Sequence, residues 1–154
     1  MKINLNSSKL QARLKKADEG LQKKIDTALE IVASEGARNI VDRALRGKGY
    51  KGNFAAYSPA YAAAKRRGWA ASKGRESFSG DPSGKVNLTV SGEMLGNLRE
   101  DGAKLVRSGL ATIAFTRFSE NKKAYFNNKK RPFFGFNSKD RKAFIKFFEK
   151  QIGI

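Results

Sequence analysis

The 154-residue chain contains no cysteine and no histidine. The first absence removes disulfides, thiolate nucleophiles and thiolate metal sites. The second removes the commonest general base and the commonest metal ligand. Without either residue, Ser-His-Asp and Cys-His chemistry lies outside what this chain can do. Carboxylates are also scarce, 14 Asp and Glu against 32 Lys and Arg. A metal-dependent nuclease needs several carboxylates converging on its ions. The nearest set is Glu93, Glu100 and Asp101, of which the first two sit seven apart and share a helical face. Solvated helix charges are the simpler account of them. The expectation is a protein that is not an enzyme and uses no cofactor or metal. No stretch approaches the roughly 18 apolar residues of a membrane span. The start, "MKINLNSSKL", lacks the apolar run of a signal peptide. The chain is therefore expected to be made in the cytoplasm, and used or assembled there.

What is abundant is positive charge. The formal net charge is +18, an imbalance that works against a compact monomer by self-repulsion and that an anionic partner relieves. Residues 1–50 contribute +5 (11 cations, 6 anions), 51–100 contribute +4 (8 and 4) and 101–154 contribute +9 (13 and 4). Hydrophobic residues make up 40% of the chain, enough for one core.

The apolar pattern predicts a helix from Ser7 to Arg46, with Leu10, Leu14, Leu21, Ile25, Leu29, Val32 and Ile40 along one face. Ser7 or Ser8 is its candidate cap, and Gly20 and Gly36 are candidate points of bending. "GKGYKGNFAAYSP" reads as a turn-rich connector. Its Gly47-x-Gly49-x-x-Gly52 spacing follows a helix, whereas a dinucleotide fingerprint follows a strand, so a basic loop over 47–57 is the better reading. Ser58-Pro59 opens a short helix that ends at Gly68. Residues 69–84 read as a mobile loop. Lys85–Ser91 alternates like a strand, "GEMLGNLRE" like a short helix, and Lys104–Phe118 like two strands turning at Ser108-Gly109. "RPFFGF" suits an edge strand, because Pro132 cannot donate to a central ladder. A last helix spans Ser138 to Ile152, capped by Ser138 and stopped by Gly153. Isolated, this basic amphipathic helix would suit a membrane surface. Within a fold, its aromatic face is expected to pack on the sheet. The predicted class is α+β in a single domain, 1–154. It comprises a long N-terminal helix, a small mostly antiparallel sheet, and a C-terminal amphipathic helix packed on that sheet.

The densest chemistry lies in "NKKAYFNNKKRPFFGF", residues Asn121–Phe136, with five cations and five aromatics. The cations Lys122, Lys123, Lys129, Lys130 and Arg131, with Lys48 and Lys51 of the Gly-rich loop, are candidates to face DNA or a DNA channel. The aromatics Tyr125, Phe126, Phe133 and Phe134, with Tyr57, Tyr61 and Trp69, are candidates for a subunit or partner interface.

Three segments, "YSPAYAAAK" (57–65), "LTVSGEMLGNLR" (88–99) and "AYFNNKKRPFFGFNSKDRKAFIKFFEKQI" (124–152), follow one another in a familiar order. Together they resemble the virion-morphogenesis, or tail-completion, family of tailed bacteriophages. Ser58, Pro59, Tyr61 and Lys65 match its first motif; Gly92, Met94, Leu95 and Leu98 the second; Arg131, Phe133, Phe134 and Gly135 the third. The "FNNKK" between Tyr125 and Arg131 departs from the family pattern. The resemblance implies a structural protein of the virion neck, a homo-oligomer in a sixfold ring between head connector and tail. Its partners would be connector or adaptor proteins, tail terminator or tube proteins, and double-stranded DNA held by charge alone, with no membrane. The alternative from composition is a free, sequence-independent nucleic-acid-binding protein.

Overall fold

A computed structural model describes residues 8–69, 78–79, 84–89 and 92–153, with side chains from residue 15 onward except at 69, 78 and 79. Helix α1 runs unbroken from Ser8 to Leu45, 38 residues, or about 57 Å at 1.5 Å per residue. Neither Gly20 nor Gly36 interrupts it. Its buried residues are small ones, Ala28, Ala33, Ala37 and Ala44, joined by Ile40 and Val41. Leu21, expected on the buried stripe, is instead half-exposed. The reason lies in what α1 packs against. A Cβ at Gly36 would stand 2.7 Å from Ile113 Cδ1 and 3.0 Å from Phe136 Cζ. Partners that approach this closely select glycine and alanine at the contact.

The partners are a hairpin, a helix and the C-terminal helix. Strands β5 (Ala103–Arg107) and β6 (Leu110–Ile113) pair antiparallel around the Ser108-Gly109 turn and lie on α1. Helix α3 (Glu93–Asp101) packs beside them and buries Met94, Leu95 and Leu98. Gly92, at φ 85°, makes the left-handed turn that opens α3. Helix α5 spans Ser138–Ile152 with a full capping box, but the cap is Asn137, with Asp140 as its reciprocal partner, and Ser138 is the first helical residue. Gly153 closes it. Its main packing partner is α1 rather than the strands, so the expected helix-on-sheet arrangement is replaced by helix on helix.

Two expected strands are not formed among the described residues. Residues 84–89 are irregular, with Leu88 at φ 55°, and 90–91 lie outside the described residues. "RPFFGF" is also irregular. Among the described residues the strands form three separate antiparallel pairs rather than one sheet. Two of them arise where loops were expected. β1 (Lys48–Gly49) pairs with β2 (Gly52–Asn53) inside the Gly-rich segment, and β3 (Gly68–Trp69) pairs with β4 (Phe78–Ser79) inside the 69–84 segment. Residues 70–77 and 80–83 lie outside the described residues. Helix α2 (Pro59–Arg67) is as expected, with Ser58 Oγ accepting from the Tyr61 N–H at 3.4 Å.

The largest departure is helix α4, Phe118–Lys130, across a stretch with no helix signal. Its N-cap, Arg117, has no capping side chain. Asn97, buried on α3, instead holds the two residues that lead into the helix. Its Oδ1 takes the N–H of Thr116 at 3.1 Å and of Arg117 at 3.4 Å, and its Nδ2 donates to Thr116 Oγ1 at 2.7 Å.

Candidate functional site

The three motif segments converge. Lys65 is fully buried, and its Nζ donates to the Lys85 carbonyl at 3.0 Å and to Asn87 Oδ1 at 2.5 Å. Buried ammonium groups need such acceptors. The Tyr57 hydroxyl accepts the Leu88 N–H at 3.3 Å. Arg131 donates from Nε and Nη2 to the carbonyls of Ala55 and Ala56, both at 3.0 Å, and its guanidinium lies 4.5 Å from the centre of the Tyr57 ring. Leu88, Leu95, Leu98 and Phe133 share one core cluster, with Phe115 and Phe134 packed against it. Gly135 lies under the Tyr50 ring, where a Cβ would come within 2.9 Å, and Gly49 abuts the Pro132 carbonyl so closely that no Cβ fits.

This convergence sorts the candidate residues. Arg131, expected to face DNA, is a clamp between α2's leading loop and the end of α4. Phe133, expected at an interface, is core: it is fully buried, and no partner can reach it. Phe134 is half-buried against Phe115, ring centres 5.5 Å apart. Lys123 turns toward α3, pairing with Glu120 at 2.9 Å and Glu93 at 3.6 Å. Lys48 and Lys51 are exposed on the β1–β2 hairpin. The side chain of Trp69 lies outside the described residues.

The rest meet on the outside of α4. Phe118, Lys122, Tyr125 and Lys129 follow one another at intervals of four, three and four, which puts them on one face of the helix; Phe126 flanks them. Phe118 is 83% exposed, Tyr125 58% and Phe126 56%. Lys129 Nζ sits 4.5 Å above the Tyr125 ring, and the Tyr125 and Phe126 rings are 5.5 Å apart, edge to face. The opposite face buries Ala124 and Glu120. Around the C-terminal end of α4 this surface continues into an open groove of about 480 Å³ between α4 and α2, lined by Tyr57, Ser58, Tyr61, Phe126, Lys129 and Lys130 among others. Burial in it raises the Tyr61 phenol above its ordinary value, opposed by the nearby Arg131 charge. An aromatic surface bordered by lysines, with no carboxylate on its outward stripe, suits contact with an acidic or apolar partner. Among the described residues no three carboxylates gather as a metal site would require. Glu93 pairs with Lys123, and Asp101 accepts from Asn97 at 3.3 Å.

Sequence reasoning missed Phe118, assigned to a strand, and three residues that position the site: Asn97, Asp26 and Arg43. Asp26 accepts the Gly109 N–H at 2.8 Å and the Ser108 hydroxyl at 2.9 Å, tying the β5–β6 turn to α1. The Gly109 bond, helped by Ser108 and Gln22, holds its carboxyl below the usual aspartate value against the opposing effect of desolvation. Arg43 joins α1 to the first turn of α5 and to the segment before it. It reaches Asp140 and the Gly135 carbonyl, each at 2.5 Å, and the Phe133 carbonyl at 3.3 Å. A polar residue on the inner side of a helix, such as Asn97 between Met94 and Leu98, was the one available signal.

Compared with protein-family models, with curated proteins and with solved structures, the chain matches none.

Proposed function

We propose that this chain is a structural component of a tailed-phage neck, which completes the tail and joins it to the DNA-filled head as one subunit of a ring around the DNA channel. In this reading it is not an enzyme, acts in the virion after assembly in the host cytoplasm, and contacts connector, adaptor and tail proteins. The observation that carries the reading is the meeting of the three motif segments in one unit, with Lys65, Tyr57 and Arg131 holding them together. The charge supports it as well. Six copies at +18 each would set a strong field for a polyanion, acting through phosphates rather than base edges. Lys48, Lys51, Lys122, Lys129 and Lys130 are the exposed cations best suited to that task. The described residues include no helix long and apolar enough to cross a membrane.

The test is genetic and visual. Particles assembled without this protein are expected as filled heads and separate tails, and normally joined virions without it would refute the proposal. A free nucleic-acid binder is the second reading, favoured by the exposed Tyr125 and Phe126, which could stack on unpaired bases. In that case the protein stays monomeric at high salt and loses nucleic acid on a steep salt slope.

A further inference from the structure

An open cleft of about 770 Å³ lies where the C-terminal part of α1 meets β1, α3 and α5. Apart from Lys48, the proposed function makes no use of it. Arg38 and Arg43 line it from α1, Arg46 from just beyond that helix, Lys48 from β1 and Arg99 from α3. Three carboxylates, Glu35, Asp42 and Asp140, line it too, so the cations hold a surplus of two.

How those acids are spent decides what the cleft can hold. Asp140 is taken by Arg43, in a pair with each side chain only 13% exposed. Arg43 also donates to the Phe133 and Gly135 carbonyls, so it is wall rather than free donor. Glu35 takes one nitrogen of Arg38 at 3.4 Å, and Asp42 one nitrogen of Arg99 at 3.2 Å. Those two arginines are 61% and 51% exposed. Exposed pairs of this kind are weak, and each leaves most of a guanidinium fork for another acceptor. Arg46 and Lys48 are exposed and have no carboxylate partner among the described residues.

We infer that this cleft holds the phosphate backbone of a nucleic acid. Guanidinium forks match phosphate oxygens in geometry as well as charge. Four cations with donors to spare stand on different elements around the cleft, and a duplex, with one charge for about every 1.7 Å, can engage them together. An acidic peptide would need an apolar anchor as well, and Phe144 is the one large apolar residue of the lining. The inference rests on the nucleic-acid contact of the proposed function and adds a place for it, carried by arginines that were not among the candidate residues.

The experiment measures binding of a short, mixed-sequence DNA duplex to the purified, nuclease-treated full chain across a salt series. Arg46→Ala combined with Lys48→Ala uncovers no carboxylate. It is expected to lower the logarithmic salt slope by about two and the affinity at low salt by about tenfold or more. Both positions are exposed, so circular dichroism and the unfolding midpoint should stay near those of the parent. Lys15→Ala combined with Lys16→Ala removes the same charge from exposed positions about 33 Å or more along α1 from Arg38. It should change the slope by less than about half a unit. Tripolyphosphate and poly-glutamate are titrated in parallel, and neither should distinguish the parent from the cleft variant. A parent that does not bind the duplex, a cleft variant that keeps the parent's slope, or two double variants that lower it alike would each overturn the cleft. Saturable tripolyphosphate binding lost in the cleft variant would overturn the backbone assignment in favour of a small phosphate, and the same loss with poly-glutamate in favour of an acidic chain. A duplex still bound with the parent's slope after the cleft substitutions places the contact elsewhere and leaves the neck proposal standing, which is judged on particles assembled without the protein.

Discussion

Helices α4 and α5 are close in composition and opposite in origin. Both are short, basic and rich in aromatics. Helix α5 carries its own instructions: Asn137 and Asp140 satisfy each other's backbone donors, and Gly153 ends the last turn. Helix α4 has no such cap, and the residues that lead into it, Thr116 and Arg117, are held by Asn97, which comes from α3. Their outer surfaces differ too. On α5, among the large apolar residues, only Ile145 is strongly exposed, whereas α4 exposes Phe118, Tyr125 and Phe126. A helix defined by local caps can be found by reading along the chain. A helix anchored by a residue of another element cannot be found that way.

The comparison can be strained at the residues that anchor each helix. Arg43→Ala should have the largest effect, about 3 kcal/mol by denaturant unfolding. It leaves Asp140 without its cation and two carbonyls without a donor near the start of α5. Asn97→Ala comes next, at about 2 kcal/mol, because the part-buried bonds by which it holds the Thr116 and Arg117 N–H groups and the Thr116 hydroxyl, just ahead of α4, are lost. Its hydrogen-exchange signature should be loss of protection in α4 with α5 intact. Asn137→Ala removes a local cap and should cost about 1 kcal/mol, with the loss confined to α5. If Asn97→Ala frays α5 or leaves α4 untouched, the distinction between the two helices fails.

A smaller effect concerns the hairpin on α1. Asp26 has a carboxyl held below its unfolded value, so its contribution is complete above that value and fades as pH falls through the lower, folded one. Amide protection at Gly109 should therefore weaken in acid, and Asp26→Asn should remove that pH dependence. The smallest effect on stability belongs to the outer face of α4. Lys122→Ala and Lys129→Ala should each change unfolding by less than about 0.5 kcal/mol. If these lysines meet phosphates, each substitution should reduce the logarithmic salt slope of DNA binding by about one. A large stability loss at either position would mean that this face is structural after all.

Much of the architecture was legible before any coordinates. Pro59–Arg67, Glu93–Asp101, the Ser108-Gly109 turn and the span Ser138–Ile152 all carry signals within a few residues of themselves. The candidate site was legible only as a collection. Tyr57, Tyr61, Phe126, Lys129 and Lys130 were named from composition, and they line one groove. Arg131 lines that groove too but spends its guanidinium on the Ala55 and Ala56 carbonyls, and Phe133 turned inward, because side-chain type does not state which way a residue points.

By itself, then, the sequence determined the class of fold, the caps and stops of its locally signalled helices, the large positive charge and the exclusion of cysteine and histidine chemistry. Caps, turns and composition act over one or two turns of chain, so no partner is needed to read them. The tertiary structure alone decided that α1 buries alanines, that α4 is a helix, and which cations are clamps and which face outward. Those outcomes rest on contacts between residues far apart in sequence: Asn97 with Arg117, Arg43 with Asp140, Arg131 with Ala55. Only the folded chain brings such pairs within hydrogen-bonding distance.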